Sequence, residues 1–366
     1  MIRTFFIVLI VSSFFFSCSN QDDNLIKHYN RTVIIYMCAD NNLSTLALEN
    51  IEQMKNASLS QEQNLIVYID SKNQLPQLIK INNHNVEVVK TYIEHNSADS
   101  LILNFVLSDI IALYPSDSYG LVLWSHGSSW LPPYNYLRSF GSDNTNEMDI
   151  ISMVNVLPIK FEYIIFDACL MGGIEVVFQF RNKANYILAS PTDIISSGFP
   201  YDKITKNLFS KNIDSLISIA STYYEHYNNF DGKYKTASIA LIDTKELDYL
   251  AVLNKKLIEN NHFEIWEYKH EFIQPLYYFD QENVFLFDYM DFLQKNFNED
   301  SIIQIKEQLN KTVLYNSHTE KILDILEINT FCGLNCYVPI KKYGLYNQYY
   351  QKLDWCSASG FAYLFE

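Results

Sequence analysis

Two segments of this chain end an apolar run in a side chain able to do chemistry: LVLWSHGSSW carries His126 and YIIFDACLMGG carries Cys169. Taken singly, neither residue is informative. Free cysteine is among the most buried residue types and packs as a small hydrophobe, and a lone histidine is more often structural than catalytic. Together they gain meaning. A thiol is an effective nucleophile at neutral pH only beside a base or a positive group. An imidazole at a strand terminus, followed by Gly127, can face a cleft as general base while a backbone N–H points at a developing oxyanion. The other histidines, His28, His84, His95, His226, His262, His270 and His318, lie in polar or amphipathic stretches and read as surface groups.

Such a pair needs a scaffold that brings strand ends together, and the hydrophobic pattern describes one. Thr32 to Cys38 and Asn64 to Ile69 are short β-branched runs separated by a helical pattern from Leu43 to Met54, which makes a β-α-β unit. Leu101 to Leu113 has helical spacing, Gly120 to Ser125 reads as a strand, Met148 to Val156 as a helix and Glu162 to Phe166 as the next strand. Ile174 to Phe180 is helical, and Tyr186 to Ala189 and Ala237 to Ile242 are further strands. Apolar strands alternating with helices predict an α/β fold, a three-layer sandwich with a mostly parallel sheet. Ligands bind such sheets beyond the carboxyl ends of the strands. Cys38-Ala39-Asp40, Ser125-His126-Gly127 and Asp167-Ala168-Cys169 all fall there. Asp40, Asn41 and Asn42 are expected to shape a loop and cap the helix that begins near Leu43. From about Glu246 the pattern turns more helical, through Leu247 to Ile258, Val284 to Leu293 and Ile302 to Val313, before a strand-like Gly333 to Pro339. This predicts a catalytic domain over 31–245 and a smaller C-terminal lobe over 246–366.

Composition narrows the class. The 48% hydrophobic and 15% aromatic content excludes a disordered chain. A net charge of −15, with no cluster of Lys and Arg, argues against nucleic acid as a partner. Residues 1–17 place Arg3 before an apolar run that ends at Ser17-Cys18, the pattern of an export signal. Ser17-Cys18 resembles the lipobox of bacterial lipoproteins, which implies a lipid on Cys18, a tether over 18–30 and a cell-envelope location. Phe15 departs from the leucine usual there, and secretion without a lipid is the alternative. Cys38, Cys169, Cys332, Cys336 and Cys356 remain, an odd number, with room for one disulfide among the last three or for none. CGLNC has no second pair and no nearby histidine to make a zinc site, so no metal is expected.

The blocks TVIIYMCADNNLS, YGLVLWSHGSSW, FEYIIFDACLMGGIEVVFQF and YILASPTDIISSGFPY resemble, in order and spacing, those of the clostripain family of cysteine peptidases. Weaker echoes in FLFDYMDFL, CGLNCYVP and YYQKLDWCSASGFAYLF carry the likeness from about residue 31 to the C-terminus. The resemblance implies a caspase-like catalytic domain and a His126/Cys169 dyad with no obligatory third member. It also implies an oxyanion hole from the backbone N–H groups of Gly127 and Cys169, and a peptide or protein substrate; a monomer is expected, although nothing in the sequence specifies the oligomeric state. Family members that cut after Arg or Lys carry an acidic residue where this chain has Ser197, so Asp167 and Asp193 become candidates to replace it. Ser190, Asp193, Ser197 and Asp167 form the expected substrate-binding set, with a basic P1 residue (the one before the scissile bond) weakly favoured. Cleavage between the histidine and cysteine blocks occurs in the family, and Arg138 is the exposed candidate here. Calcium dependence also occurs in the family, but no coordinating loop of the EF-hand kind is visible, and no cofactor is expected. The alternatives are a catalytically silent surface lipoprotein that binds peptides through the same cleft, and a cysteine-dependent transferase or amidase.

Overall fold

The structure is a computed structural model and describes residues 27–57, 59–60, 62–131, 139–143, 146–261, 272–277 and 286–365. The expected export signal, Cys18, the tether up to residue 26, Arg138, His262 and His270 lie outside the described residues. The chain runs β1 (Thr32–Ala39), α1 (Ser44–Lys55), β2 (Asn64–Ser71), β3 (Gln77–Asn82), β4 (Asn85–Thr91), α2 (Ser100–Leu113), β5 (Tyr119–Trp124), the hairpin β6 and β7 (Phe140–Asp143, Asn146–Met148) and α3 (Ile150–Val156). It continues through β8 (Phe161–Asp167), α4 (Ile174–Gln179), β9 (Ala184–Ala189), α5 (Tyr201–Ile204), α6 (Ile213–Asn228), β10 (Ser238–Asp243) and α7 (Leu247–Asn261). Then come β11 (Leu286–Asp288), α8 (Tyr289–Asn296), α9 (Glu299–Thr312), β12 (Val313–His318), β13 and β14 (Lys321–Ile322, Leu326–Glu327), β15 (Asn335–Tyr337), α10 (Gly344–Tyr350) and α11 (Asp354–Ala358).

Nine strands form one sheet in the order β12-β10-β9-β8-β5-β1-β2-β3-β4. Its centre, β9-β8-β5-β1-β2, is parallel, and antiparallel strands finish both edges. The central strands are buried along their length, because alternate residues serve opposite layers. In β1, Val33, Ile35 and Met37 pack with α1 and α6, while Ile34, Tyr36 and Cys38 pack with α2, α3 and α4. The same division holds in β5, where Val122 and Trp124 face one layer and Leu121 and Leu123 the other. This is the expected three-layer α/β sandwich.

Several boundaries differ for local reasons. Met148 belongs to β7, and α3 starts at Ile150 because the Asp149 side chain accepts the Ser152 N–H at 2.8 Å. Likewise the Asp288 carboxylate accepts the Asp291 N–H at 2.9 Å, which starts α8 at Tyr289 and frees Leu286–Asp288 to pair with β15. The stretch expected to begin at Val284 thus holds a strand before its helix; residues 284–285 lie outside the described residues. Most consequential is the C-terminal part. β12 pairs with β10 in the central sheet, and α7, α8, α9 and α11 bury Leu250, Phe292, Ile305 and Trp355 in the same core as β8 and α4. Sheet and core therefore run across the expected boundary at residue 246. Cys38, Cys169, Cys332, Cys336 and Cys356 are all free thiols.

Candidate active site

Sheet register brings the two candidate residues together. β5 and β8 are parallel neighbours, with Trp124 opposite Asp167, so His126 and Cys169 each lie two residues beyond the same rung. The Ser125 N–H to Asp167 carbonyl bond at 3.3 Å continues the pairing to the edge. Past that point both chains turn, and the turns pack closely. A Cβ at Gly127 would lie 2.6 Å from the Cys169 carbonyl oxygen and 2.9 Å from the Ala168 Cβ, so any side chain there would push the two turns apart.

Each turn is tied down. The His126 carbonyl accepts the Gly141 N–H at 3.0 Å, and Ser128 donates to the Ser139 carbonyl at 3.0 Å, so β6 braces the histidine loop. Ser125 Oγ donates to the Cys38 carbonyl at 2.7 Å, joining that loop to the end of β1. After the cysteine, Leu170 takes a left-handed conformation at φ 64° and donates its N–H to the Thr192 carbonyl at 2.9 Å. Cys169 Sγ in turn accepts the Ile194 N–H at 3.3 Å. Among the described residues, neither the Gly127 nor the Cys169 backbone N–H donates to another group.

A cavity of about 190 Å³ opens at this edge, lined by Leu43, Trp124, Ser125, His126, Asp167, Cys169, Asp193, Ile194, Ile195, Ser196, Gly198 and Leu323. Its walls are largely apolar, so the two carboxylates stand out. Asp167 Oδ2 accepts the Tyr201 hydroxyl at 2.9 Å and the Phe199 N–H at 3.2 Å. Its buried Oδ1 has no hydrogen-bond partner among the described residues. Burial pushes the Asp167 carboxyl up to about 6, against the pull of the Phe199 and Tyr201 hydrogen bonds. Asp193 is also pushed up to about 6 by burial, although its hydrogen bond with Cys169 acts in the other direction. Gly198, at φ 68°, admits this arrangement: a Cβ there would lie 2.5 Å from Asp167 Oδ2.

Burial raises the Cys169 thiol, reinforced by the nearby Asp193, and lowers His126. Burial thus favours the neutral form of both, a thiol and an imidazole at one cavity rather than a preformed ion pair. His126 Nε2 lies 2.8 Å from Asn42 Oδ1. An amide oxygen only accepts, so Nε2 carries the proton and Nδ1 keeps the lone pair.

His126, Cys169, Asp167 and Asp193 therefore converge, and Gly127 packs against the cysteine turn. Ser190 does not line the cavity; it is buried behind it, with Oγ bonded to the Thr192 carbonyl at 3.0 Å and to Ser238 Oγ at 2.7 Å. Ser197 is also absent from the lining, which passes from Ser196 to Gly198, and its carbonyl takes the Asn50 amide at 3.1 Å. Asn42 is not the helix cap the sequence suggested. Asn41 Oδ1 accepts the Leu43 N–H at 2.8 Å, α1 has no side-chain cap, and Asn42 turns to His126 instead. His95 is not a plain surface group either: it bonds Tyr68 through its ring at 2.7 Å and stacks on it. Leu323 reaches the cavity from the β13–β14 turn, at φ 53°, where the sequence offers no periodic pattern to reveal it.

The sequence profile of the clostripain family matches residues 35–358. Clostripain of Hathewaya histolytica is 27% identical over 268 residues, 62% of this chain, and the chain spans about half (49%) of that relative's length. Among solved structures, an inactive zymogen C11 protease from Parabacteroides distasonis is 31% identical, with a TM-score of 0.81 over 90% of this chain and 98% of its own. A secreted C11 cysteine protease from Bacteroides thetaiotaomicron, solved with an irreversible peptide inhibitor, is 28% identical, with a TM-score of 0.80 over 91% of this chain and 99% of its own. This chain shares the caspase-like fold of these two solved structures.

Proposed function

Because the chain belongs to the clostripain family, we propose that it is a cysteine endopeptidase working through Cys169 and His126, with a preference for a basic residue at P1. The observation that carries this reading is the shared register of β5 and β8, which sets thiol and imidazole at one cavity beside a buried carboxylate. In the proposed cycle the Cys169 Sγ–H proton passes to His126 Nδ1 as sulfur forms a bond to the peptide carbonyl carbon. The oxyanion so formed takes hydrogen bonds from the Gly127 and Cys169 N–H groups. Collapse breaks the C–N bond, and the proton on Nδ1 leaves with the amine. A water then gives its proton to Nδ1, its oxygen attacks the thioester, and the proton returns to the departing sulfur.

Asp167 Oδ1, buried and unpartnered, and Asp193 give this otherwise apolar cavity its charge. A lysine or arginine entering it meets a carboxylate without a competing partner, the condition under which a buried charge is tolerated. Ser197 therefore need not be acidic. Incubation of the mature protein with a peptide library, with products read by mass spectrometry, tests the reading. Cleavage after Lys and Arg is expected, and its loss in Cys169→Ala and in His126→Ala. Products that persist in both variants, or no products from the wild type even after deliberate nicking and with calcium, would sink it. The N-terminal pattern supports export and a lipid on Cys18. Incorporation of labelled palmitate in a bacterial host, lost in Cys18→Ala, is expected; equal labelling of both forms would refute the anchor.

A further inference from the structure

Asn42 occupies a position that the two-residue scheme leaves without a task. It follows β1, the strand next to β5 on the side away from β8, so the three chain ends that meet at the cavity carry Asn42, His126 and Cys169. Its side chain holds no structural post. It does not cap α1, and its bond to His126 Nε2 is its only side-chain hydrogen bond among the described residues. Its neighbours, by contrast, are firmly fixed. Asn41 Nδ2 donates to the Ser142 carbonyl at 2.6 Å and the Cys38 carbonyl at 3.1 Å, and its Oδ1 takes the Leu43 N–H at 2.8 Å. Leu43 is buried in the cavity wall. The turn is thus braced against both β1 and the β6 strand that braces the histidine loop, and the exposed Asn42 projects from this fixed backbone to His126.

We infer that Asn42 is a third, positioning member of the catalytic group, which holds His126 through Nε2 so that Nδ1 is presented to the Cys169 thiol. This rests on the dyad proposed above. Two physical consequences follow from the bond. The ring's outer torsion is broad and nearly two-fold, so without a partner on Nε2 the imidazole samples orientations and the tautomer in which Nδ1 bears the proton and cannot accept one. Once His126 takes the thiol proton, Nε2–H becomes a charged donor, and a charge-assisted bond is roughly twice as strong as a neutral one. Asn42 therefore favours the state after proton transfer over the resting state, an effect that appears in kcat rather than in KM. The other titratable groups on the elements that meet at this edge include Asp40, Asp70, Asp143, Asp167, Cys169 and Asp193.

The test compares Asn42→Ala and Asn42→Asp with the wild type, with Cys169→Ala and His126→Ala alongside. For Asn42→Ala a fall in kcat of about 10- to 100-fold is expected, the range of a lost charge-assisted bond, with KM within twofold and an unchanged melting temperature. The pH profile of Cys169 alkylation by iodoacetamide, which needs no substrate, should lose its His126-dependent limb. Asn42→Asp keeps the acceptor and adds a charge that favours the imidazolium; it should recover most of kcat and move the acidic limb to higher pH. Wild-type kcat and alkylation profile in Asn42→Ala, with Cys169→Ala and His126→Ala inactive, would overturn this inference and leave the dyad intact. Activity surviving in the latter two would instead refute the dyad itself. A fall in melting temperature that accounts for the lost activity, with no recovery in Asn42→Asp, would mark the role as structural and also overturn it.

Discussion

The two oxygens of Asp167 differ. Oδ2 holds the loop that follows β9 through Phe199 and Tyr201, while Oδ1 has no hydrogen-bond partner among the described residues and is the atom proposed to meet a cationic substrate side chain. Asp167→Asn preserves much of the first role and removes the charge needed for the second. Losing one partner of a buried, hydrogen-bonded charge pair costs about 2–5 kcal/mol. kcat/KM for Lys and Arg substrates should therefore fall about 30-fold or more, chiefly through KM, while a substrate with a neutral P1 residue is spared. The same carboxyl gives a pH signature. Burial holds it near 6, so acidification through that value protonates it and removes the attraction for a cationic side chain. Selectivity for basic over neutral P1 should decline as pH falls from 7 to 5, measured as the ratio of the two kcat/KM values. A ratio that still falls with pH but is unaffected by Asp167→Asn would assign the task to Asp193, which burial also pushes up to about 6, and a ratio independent of pH in both proteins would refute the role of either carboxylate.

The elements explain which features the sequence disclosed. β1, β5 and β8 are buried on both faces, so their runs are apolar without interruption, and a polar residue at the end of each was conspicuous. The antiparallel edges were not. β4 is exposed along most of its length and β12 is half-exposed, so neither Asn85–Thr91 nor Val313–His318 reads as an apolar strand. Asn42 was legible in position but not in role, because capping and histidine-holding draw on the same residue types, and only the direction of the side chain separates them. Asn50 was missed outright. It sits on α1 among apolar residues, fully buried, accepting the Trp124 indole N–H at 2.9 Å and donating to the Ser197 carbonyl at 3.1 Å. A single amide thus links helix α1, the β5 strand that leads to His126, and the cavity loop. In Asn50→Ala the buried Trp124 indole N–H loses its acceptor, the Ser197 carbonyl loses its donor, and a small void opens. A loss of about 2–4 kcal/mol in denaturant unfolding is expected, with KM raised by the loosened loop. A loss below about 0.5 kcal/mol would show that the link is replaced by water.

At the scale of the whole molecule, acidic groups are enclosed where charge is disfavoured. Burial pushes Asp167 and Asp193 up to about 6 and Glu175 up to about 7, and raises Asp70 and Asp288 as well. In the unfolded chain these carboxyls titrate near 4. Between about pH 4 and 7 the folded state therefore binds more protons than the unfolded state, and stability falls as pH rises through that window. Each tenfold difference in proton affinity is worth about 1.4 kcal/mol. Half-buried His95, His126 and His226 act oppositely: their values are lowered chiefly by partial burial, so the unfolded chain takes up protons first, below about 6.5. The carboxyls are more numerous and more enclosed, so their effect prevails at the upper end of the range. The melting temperature should be several degrees higher at pH 6 than at pH 8. Glu175 isolates the cause, because its Oε1 accepts the Tyr337 N–H at 2.8 Å and a glutamine can do the same. Glu175→Gln should melt higher than the wild type at pH 8 and show a flatter pH dependence; a lower melting temperature at pH 8, or a wild-type slope, would contradict the account. Acid thus stabilises the fold in the range where it discharges Asp167, so stability should peak at a lower pH than cleavage after basic residues.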